Sequence, residues 1–377
     1  MGKRRKVTTR DIAEYTELSQ STVSMILSGK ANVSFSPETV EKVKKAAGEL
    51  GYKKPEKKAA VLSGADLLRS TILVFAPSLA NGYFSRLIHS ITEHAANYNY
   101  TVMTAVTFRD SEREQAFLAQ YRKAPPAGII MLYPPLCRAM VNSLAKEIPV
   151  VAIGEKPSGS RYDSVELNGH TTGYMMGEYL ISQGHRKIAY VSPPVNEKNT
   201  GRIRRYRGLV RAFEDHGLDS SSLILAAPKP LTYSRYSPDE AEYKNGYDLT
   251  LNFIGSYDPA ASAGPDDMSS YGRHNDITAF VGHNDMTALG IMGAIRAKGY
   301  RIPQDYSVAG FDNIVLSGMP QINLTTIEHS SVQKGREAVE LIVRKQAARQ
   351  KKAQNEKYIL RMEYEPELIV RGTVKKI

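Results

Sequence analysis

Eight polar residues stand where a ligand could be held. Asn81 follows the apolar run 71–75, and Glu155 and Lys156 follow the run 149–154. Asn284 and Asp285 follow 277–281, and Asp312 ends the run 307–312. Arg202 and Arg204 open a helical stretch beyond the run 188–192, and Phe84 lies three residues past Asn81 as an apolar platform. Carboxylates, amides and cationic groups accept from and donate to several hydroxyls at once, so the chemistry this set suits is reversible binding of a polyhydroxylated ligand. The simpler assignments are local: Asn284 or Asp285 capping the next helix, and Asp312 starting a turn. No catalytic constellation competes. The chain has no Gly-x-Ser-x-Gly elbow and no phosphate-cradling loop. His89 and His94 are five apart, diverge around a helix and cannot form a zinc pair. Cys137 has no recognisable base partner. Neither a cofactor nor a metal is expected.

A second chemistry lies at the N-terminal end. Thr8-Thr9-Arg10-Asp11 reads as a capping box opening a helix with Ile12, Ala13 and Thr16 on one face. Ser19 is placed to cap a second helix, in which Val23, Ile26 and Leu27 point inward while Gln20, Ser21, Thr22 and Ser24 point outward. Short donor–acceptor side chains crowded into the first turns of a helix suit reading base edges in a major groove. A third helix starts at Ser36 (cap) and Pro37, keeps Val40, Val43, Ala47 and Leu50 on one stripe, and stops at Gly51. The alternative is a three-helix bundle with a polar face and no DNA role. Charge favours the DNA reading. Residues 1–58 carry thirteen Lys and Arg against seven Asp and Glu, which is +6 of the total +11 in under a sixth of the chain.

The elements that must position these residues alternate. From residue 70 the pattern predicts strand 71–75, helix 83–98, strand 101–106, helix 112–123, strand 128–133, helix 136–146 and strand 149–154. A second round predicts helix 169–184, strand 188–192, helix 202–216, strand 277–281, helix 284–298, strand 307–312 and helix 331–346. Such alternation implies parallel sheets with helices on both faces, and a ligand crevice beyond the carboxyl ends of the strands. Gly169, Gly173 and Gly177 recur every fourth residue, a pattern of close helix packing rather than of a nucleotide site. Residues 228–274 break the pattern: one helix is expected at 239–253, and 257–273 is turn-rich.

Composition bounds the rest. The length, 377 residues with 42% hydrophobic content, is enough for two or three domains with their own cores. No run approaches the roughly 18 apolar residues of a membrane span. No apolar stretch follows Lys3-Arg4-Arg5-Lys6, so no secretory signal is expected. A single cysteine fits a reducing cytoplasm.

Several motifs together carry a family resemblance. Val7-Thr8-Thr9-Arg10-Asp11-Ile12-Ala13, Leu18-Ser19-Gln20-Ser21-Thr22-Val23-Ser24 and Ser36-Pro37-Glu38-Thr39-Val40 closely resemble the headpiece of lactose-repressor-type (LacI family) bacterial transcription regulators. Further matches follow at Asn81-Gly82-Tyr83-Phe84, Gly184-His185-Arg186-Lys187, His283-Asn284-Asp285-Met286-Thr287-Ala288, Ile302-Pro303-Gln304-Asp305 and Gly310-Phe311-Asp312-Asn313, so the resemblance covers nearly the whole chain. It implies an α/β fold of a helix-turn-helix headpiece plus two doubly wound parallel lobes of periplasmic-binding-protein type. The implied domains are a headpiece at 1–55, a hinge or linker at 56–69 and an effector-binding domain at 70–377. Lobe one is expected at 70–166 and 303–327, and lobe two at 167–302 and 328–377. The DNA-contacting candidates are Thr8, Thr9, Ser19, Gln20, Ser21, Thr22, Ser24, Met25 and Ser36. The family's hinge helix, which wedges a Leu into the minor groove, adds Ala59 and Leu62; a flexible tether is the alternative for this segment.

The sequence departs from the family at four places, the first a small insertion at Lys30 to Ser34 between the second and third helices. Met25 stands where an Arg is frequent, and Glu155-Lys156 stands where Asp-Arg is usual. The ligand-binding Arg before the Arg-x-x-Gly turn is displaced, leaving Arg202 and Arg204 as candidates. The function implied is a repressor acting as a homodimer on a near-palindromic double-stranded operator, its affinity controlled by a small effector, a sugar or related metabolite, with no membrane partner. The competing readings are an extracytoplasmic-type sugar-binding protein and a sugar-processing enzyme fused to a DNA-binding module.

Overall fold

The computed structural model describes residues 7–28, 35–52, 64–195, 200–228, 237, 240–254, 276–350 and 358–377. The chain divides into two units, Met1–Leu62 and Ser63–Ile377.

The first unit is three helices around one small core: α1 (Thr9–Thr16), α2 (Gln20–Ser28) and α3 (Pro37–Glu49). The capping box at Thr8 forms in both directions. Its hydroxyl accepts from the Asp11 N–H, and the Asp11 carboxylate accepts from the Thr8 N–H at 2.7 Å. Glu17 leaves the helix with φ 56°, and the chain turns within three residues to Ser19, whose Oγ accepts from the Thr22 N–H at 3.1 Å. Ser36 caps α3 through the Thr39 N–H, with Pro37 in the first turn where its missing N–H costs nothing. Each helix sends one fully buried apolar side chain to the centre: Ile12, Val23 and Val43. Thr16 is buried with them because its hydroxyl donates to the Ile12 carbonyl at 2.7 Å.

The second unit opens with α4 (Gly64–Arg69) and builds two parallel sheets. In lobe one, β1 (Thr71–Ala76), β2 (Thr101–Val106), β3 (Gly128–Met131), β4 (Val150–Ile153), β5 (Asp163–Leu167) and β11 (Arg361–Tyr364) lie in the order β2-β1-β3-β4-β5-β11. In lobe two, β6 (Ile188–Val191), β7 (Leu223–Ala226), β8 (Ala279–Gly282) and β9 (Ser307–Ala309) lie in the order β7-β6-β8-β9. Each order reverses beside its first strand, the doubly wound arrangement. β1 is buried along its whole length, as a continuous apolar run in a covered parallel sheet should be.

Helices cover both faces of each sheet. In lobe one, α5 (Gly82–Ala96) and α12 (Ser331–Gln350) share one core, and α6 (Ser111–Lys123) and α7 (Arg138–Leu144) cover the other face. In lobe two, α8 (Gly169–Ser182) pairs with α9 (Thr200–Asp215), and α10 (Ala241–Ile254) pairs with α11 (Asp285–Ala297). The glycine repeat on α8 does mark close helix packing. A Cβ at Gly173 would lie 2.0 Å from the Arg205 carbonyl oxygen, and one at Gly208 on α9 would lie 2.1 Å from that of His170.

The expected division of the C-terminal third between the lobes is wrong and is in effect exchanged. β9, placed in lobe one by expectation, pairs with β8 of lobe two through Ala279↔Ser307. α12, placed in lobe two, buries Ala338, Val339, Leu341 and Ile342 in the core of lobe one, and β11 extends the lobe-one sheet beside β5. The chain then returns: β12 (Glu367–Ile369) pairs antiparallel with β10 (Thr326–Glu328), and Thr373 bonds to Val308 of lobe two. The apolar stripe of α12 packs in lobe one beside Leu87 and Ile91 of α5 and against Ile130, Val151, Ile153 and Val165 of the sheet. Strands β5, β7, β10, β11 and β12 were not expected. The expected hinge residues Ala59 and Leu62, the insertion at 30–34 and most of 228–274 lie outside the described residues.

Candidate functional site

A cleft with a volume of about 160 Å³ lies between the lobes at the carboxyl ends of their strands. Lobe one contributes Asn81, Tyr83, Phe84, Arg109 and Tyr133; lobe two contributes Arg202, Arg205, Glu242, His283 and Asn284. The crossing segments add Asp312, His329 and Lys334.

Glu242, in the first turn of α10, spans the cleft. Its Oε2 accepts from Asn81 Nδ2 of lobe one at 2.6 Å and from Asn284 Nδ2 of lobe two at 2.9 Å. Asn81 and Asn284 are held for this role by their own backbones. Each caps the following helix through its Oδ1, from the Tyr83 N–H at 2.9 Å and the Thr287 N–H at 3.0 Å, which leaves the amide nitrogen facing the carboxylate. Burial pushes the Glu242 carboxyl up, but the neighbouring His283, the nearby Arg202 and the hydrogen bond from Asn284 outweigh it and hold it at about 2. His283, 3.7 Å from Glu242 and bonded to Thr287, is pushed down to about 4 mainly by burial.

A second network is centred on Arg205. Its guanidinium donates to the His283 carbonyl, lies 3.9 Å from Asp312, reaches the His329 ring and stacks 4.8 Å over Phe311. Asp312 Oδ1 is 3.2 Å from His329 Nδ1. Burial drives both towards their uncharged forms, the carboxyl up and the imidazole down. Lys334 is buried, donates to the Tyr83 hydroxyl at 2.9 Å and sits over the Tyr83 ring; burial and the neighbouring Arg205 lower it to about 7, against the pull of Asp312.

Six of the nine expected cleft residues line it: Asn81, Phe84, Glu155, Arg202, Asn284 and Asp312. Within that set, Glu155 serves the protein first, accepting from the Gly169 N–H at 2.6 Å and pairing with Arg204. The other three do not line the cleft. Arg204 is the partner of Glu155. Lys156 turns along the chain, its ammonium donating to the Tyr162 and Leu360 carbonyls at 3.3 Å each. Asp285 is fully buried and accepts from the Ile314 N–H at 3.0 Å, the Ser317 hydroxyl at 2.6 Å and the Thr326 hydroxyl at 2.6 Å.

Arg205, Glu242, His283, His329 and Lys334 were missed. For Arg205 a signal existed: Arg205-Tyr206-Arg207-Gly208 is itself an Arg-x-x-Gly turn, and Gly208 fixes the face that α9 turns to α8. For Lys334 and His329 none did, because they come to the cleft only through the crossing segments.

In the headpiece, Gln20, Ser21 and Ser24 are exposed on α2, and Met25 is half-buried below them. Ser19 Oγ is engaged with Ser21, Thr22 and the Thr22 N–H, Thr8 with Asp11, and Ser36 with Thr39. Thr9 Oγ1 accepts from the Gln20 amide at 3.4 Å, which ties the first turns of α1 and α2 together. Among the described residues no helix is long and apolar enough to cross a membrane, and no group of three metal-ligating side chains occurs.

Comparison with known proteins agrees with both units. Residues 8–55 match bacterial regulatory proteins of the lacI family. Residues 69–229 match periplasmic binding proteins and the sugar binding domain of the LacI family, and residues 178–374 match a periplasmic binding protein-like domain. The chain is 27% identical to the HTH-type transcriptional repressor PurR of Mannheimia succiniciproducens over 98% of this chain and 99% of that one. It is 29% identical to the PurR repressor of Vibrio vulnificus over the same shares. Among solved structures, a LacI family transcriptional regulator from Enterococcus faecium with bound ribose superposes with a TM-score of 0.65 at 22% identity, over 81% of this chain and 99% of that one. The transcriptional regulator CelR in complex with cellobiose gives 0.60 at 20% identity, over 98% and 100%. These relatives are transcriptional regulators, which are not enzymes. The chain therefore belongs to the LacI family of DNA-binding bacterial transcription regulators, with a periplasmic-binding-protein-like effector domain.

Proposed function

We propose that this regulator is a repressor that binds a near-palindromic operator as a homodimer, and that a small polyhydroxylated ligand, a sugar or related metabolite, controls its operator affinity from the interlobe cleft. One observation carries the ligand reading: Glu242 joins Asn81 of lobe one to Asn284 of lobe two within the cleft. A ligand hydroxyl entering there competes for the groups that hold the lobes together, so occupancy and lobe closure are one equilibrium. A cavity of about 160 Å³ suits one small ring rather than a long chain. Two-fold symmetry supplies specificity that one small headpiece lacks, because a single recognition helix reads few base pairs.

The test is a thermal-shift screen of the full chain against monosaccharides and related metabolites, followed by operator titrations with each hit. A ligand at a hundredfold its Kd raises stability by about 2.7 kcal/mol, well within detection. The expected result is a hit that changes operator affinity. Hits that stabilise the protein and leave operator affinity unchanged would show that the cleft binds without regulating.

A further inference from the structure

Among the described residues the cationic side chains Arg202, Arg205 and Lys334 line the cleft together with three acids, Glu155, Glu242 and Asp312. One of the three is already matched, since Glu155 pairs with Arg204, which lies outside the lining. Arg205 is shared between Asp312 and a backbone carbonyl. Arg202 is different. Its backbone carbonyl is anchored by the Tyr190 hydroxyl at 3.3 Å, but among the described residues no hydrogen bond or ion pair reaches its guanidinium. It lies one helical turn from Arg205 on α9, so the two guanidinium groups share a face, with Gly201 beside them in the lining. They also sit in the first turns of a helix of 16 residues, where the N-terminal dipole favours negative charge. The corresponding end of α8 shows what such a position takes: its Gly169 N–H is bonded by the protein's own carboxylate, Glu155. Arg205 Nε, buried and without a hydrogen-bond partner, is a further donor on the same face.

We propose that the ligand is an acidic polyol, a sugar carrying a carboxylate or phosphate, whose anionic group is held by Arg202 and Arg205 at the first turns of α9. Its hydroxyls are taken by Glu242, Asn81 and Asn284. A neutral sugar satisfies only the second set and brings no anion to Arg202 and Arg205. This rests on the reading that the cleft takes a polyhydroxylated ligand; it adds the charge and says where that charge is bound.

The experiment uses the full chain and matched probes: glucose, gluconate, glucuronate and glucose 6-phosphate; ribose and ribose 5-phosphate; and two anions that are not sugars, inorganic phosphate and citrate. Stability is read by thermal shift and affinity by calorimetry, at low and high salt, for the parent and for Arg202→Gln. The expected result is that an acidic member of a pair binds at least about tenfold tighter than its neutral partner, and that salt and Arg202→Gln each remove most of that preference. The carboxylate and phosphate arms decide which anion is recognised. An unchanged melting temperature of unliganded Arg202→Gln reports an intact fold. Binding of neutral sugars as tight as that of their acids overturns this proposal and keeps the sugar reading. Binding of phosphate or citrate without any sugar keeps the anion site and overturns the sugar reading. Silence across the whole panel overturns both.

Discussion

Asp285 receives three hydrogen bonds and no solvent, which makes it a staple between the start of α11 and the crossing segment through Ile314, Ser317 and Thr326. Burial raises its carboxyl to about 6, against the lowering effect of those donors. The sign of the consequence follows from proton linkage. Between its ordinary value near 3.8 and about 6, the folded chain holds a proton that the unfolded chain has lost. The stabilisation from this group is therefore complete below about pH 4 and is lost as pH rises through 6, an effect of about 3 kcal/mol. Asp285→Asn should abolish that pH dependence. It should also cost roughly 1–3 kcal/mol at neutral pH, because its amide NH₂ faces donors it cannot accept from. Denaturant unfolding of parent and variant at several pH values checks both; an identical pH profile in the variant would place the titration on another group. Ligand affinity should change only through this loss of stability, since the carboxylate does not line the cleft.

At the scale of elements, the α8–α9 pair aims Arg202 and Arg205. The close approach at Gly173 and Gly208 leaves no room for a Cβ, with carbonyl oxygens 2.0 and 2.1 Å from where it would be. Gly208→Ala must push the helices apart, so it should destabilise by roughly 1–3 kcal/mol and weaken ligand binding by displacing Arg205. Gly201 on the same helix has nothing within 4 Å of a built Cβ, so Gly201→Ala should leave stability unchanged or raise it by up to about 1 kcal/mol. Thermal unfolding of the two variants decides; equal gains would mean that helix propensity, not packing, governs the pair.

For the whole molecule, the exposed apolar side chains of the 3-10 turn Val315–Gly318 stand out. Val315 is 73% exposed, and Leu316 and Met319 are 39% and 41% exposed. For the proposed homodimer we assign these side chains and Leu79, 53% exposed on the loop before α5, to the contact with the second copy. Val315→Asp should dissociate the dimer in sedimentation experiments and weaken operator binding by at least about a hundredfold, because the second headpiece is no longer held at high effective concentration. An unchanged sedimentation coefficient would put the dimer contact on another face.

The headpiece was legible in the sequence because its determinants are local. Thr8, Ser19 and Ser36 cap helices that begin within three residues of them, and Ile12, Val23 and Val43 repeat on helical faces short enough to read directly. The doubly wound class was legible too, since a strand buried on both faces, such as β1, must be apolar throughout. Strand β5 was not. Asp163-Ser164-Val165-Glu166-Leu167 looks like a polar loop, and it becomes a buried strand only because Lys345 and Arg361 arrive from nearly 200 residues away to pair with Asp163 and Glu166. The same holds for the cleft. Asn81 and Asn284 could be found as strand-end polar residues, but their joint partner Glu242 lies on a helix with no such mark. Side-chain type and local spacing determine which residues can cap, pack or bind; which carboxylate ends buried as a staple and which faces the ligand is decided by crossings that bring distant segments into one low-dielectric space. Asp285 and Glu242 are both acids in the first turn of a helix, and only tertiary structure separates their roles.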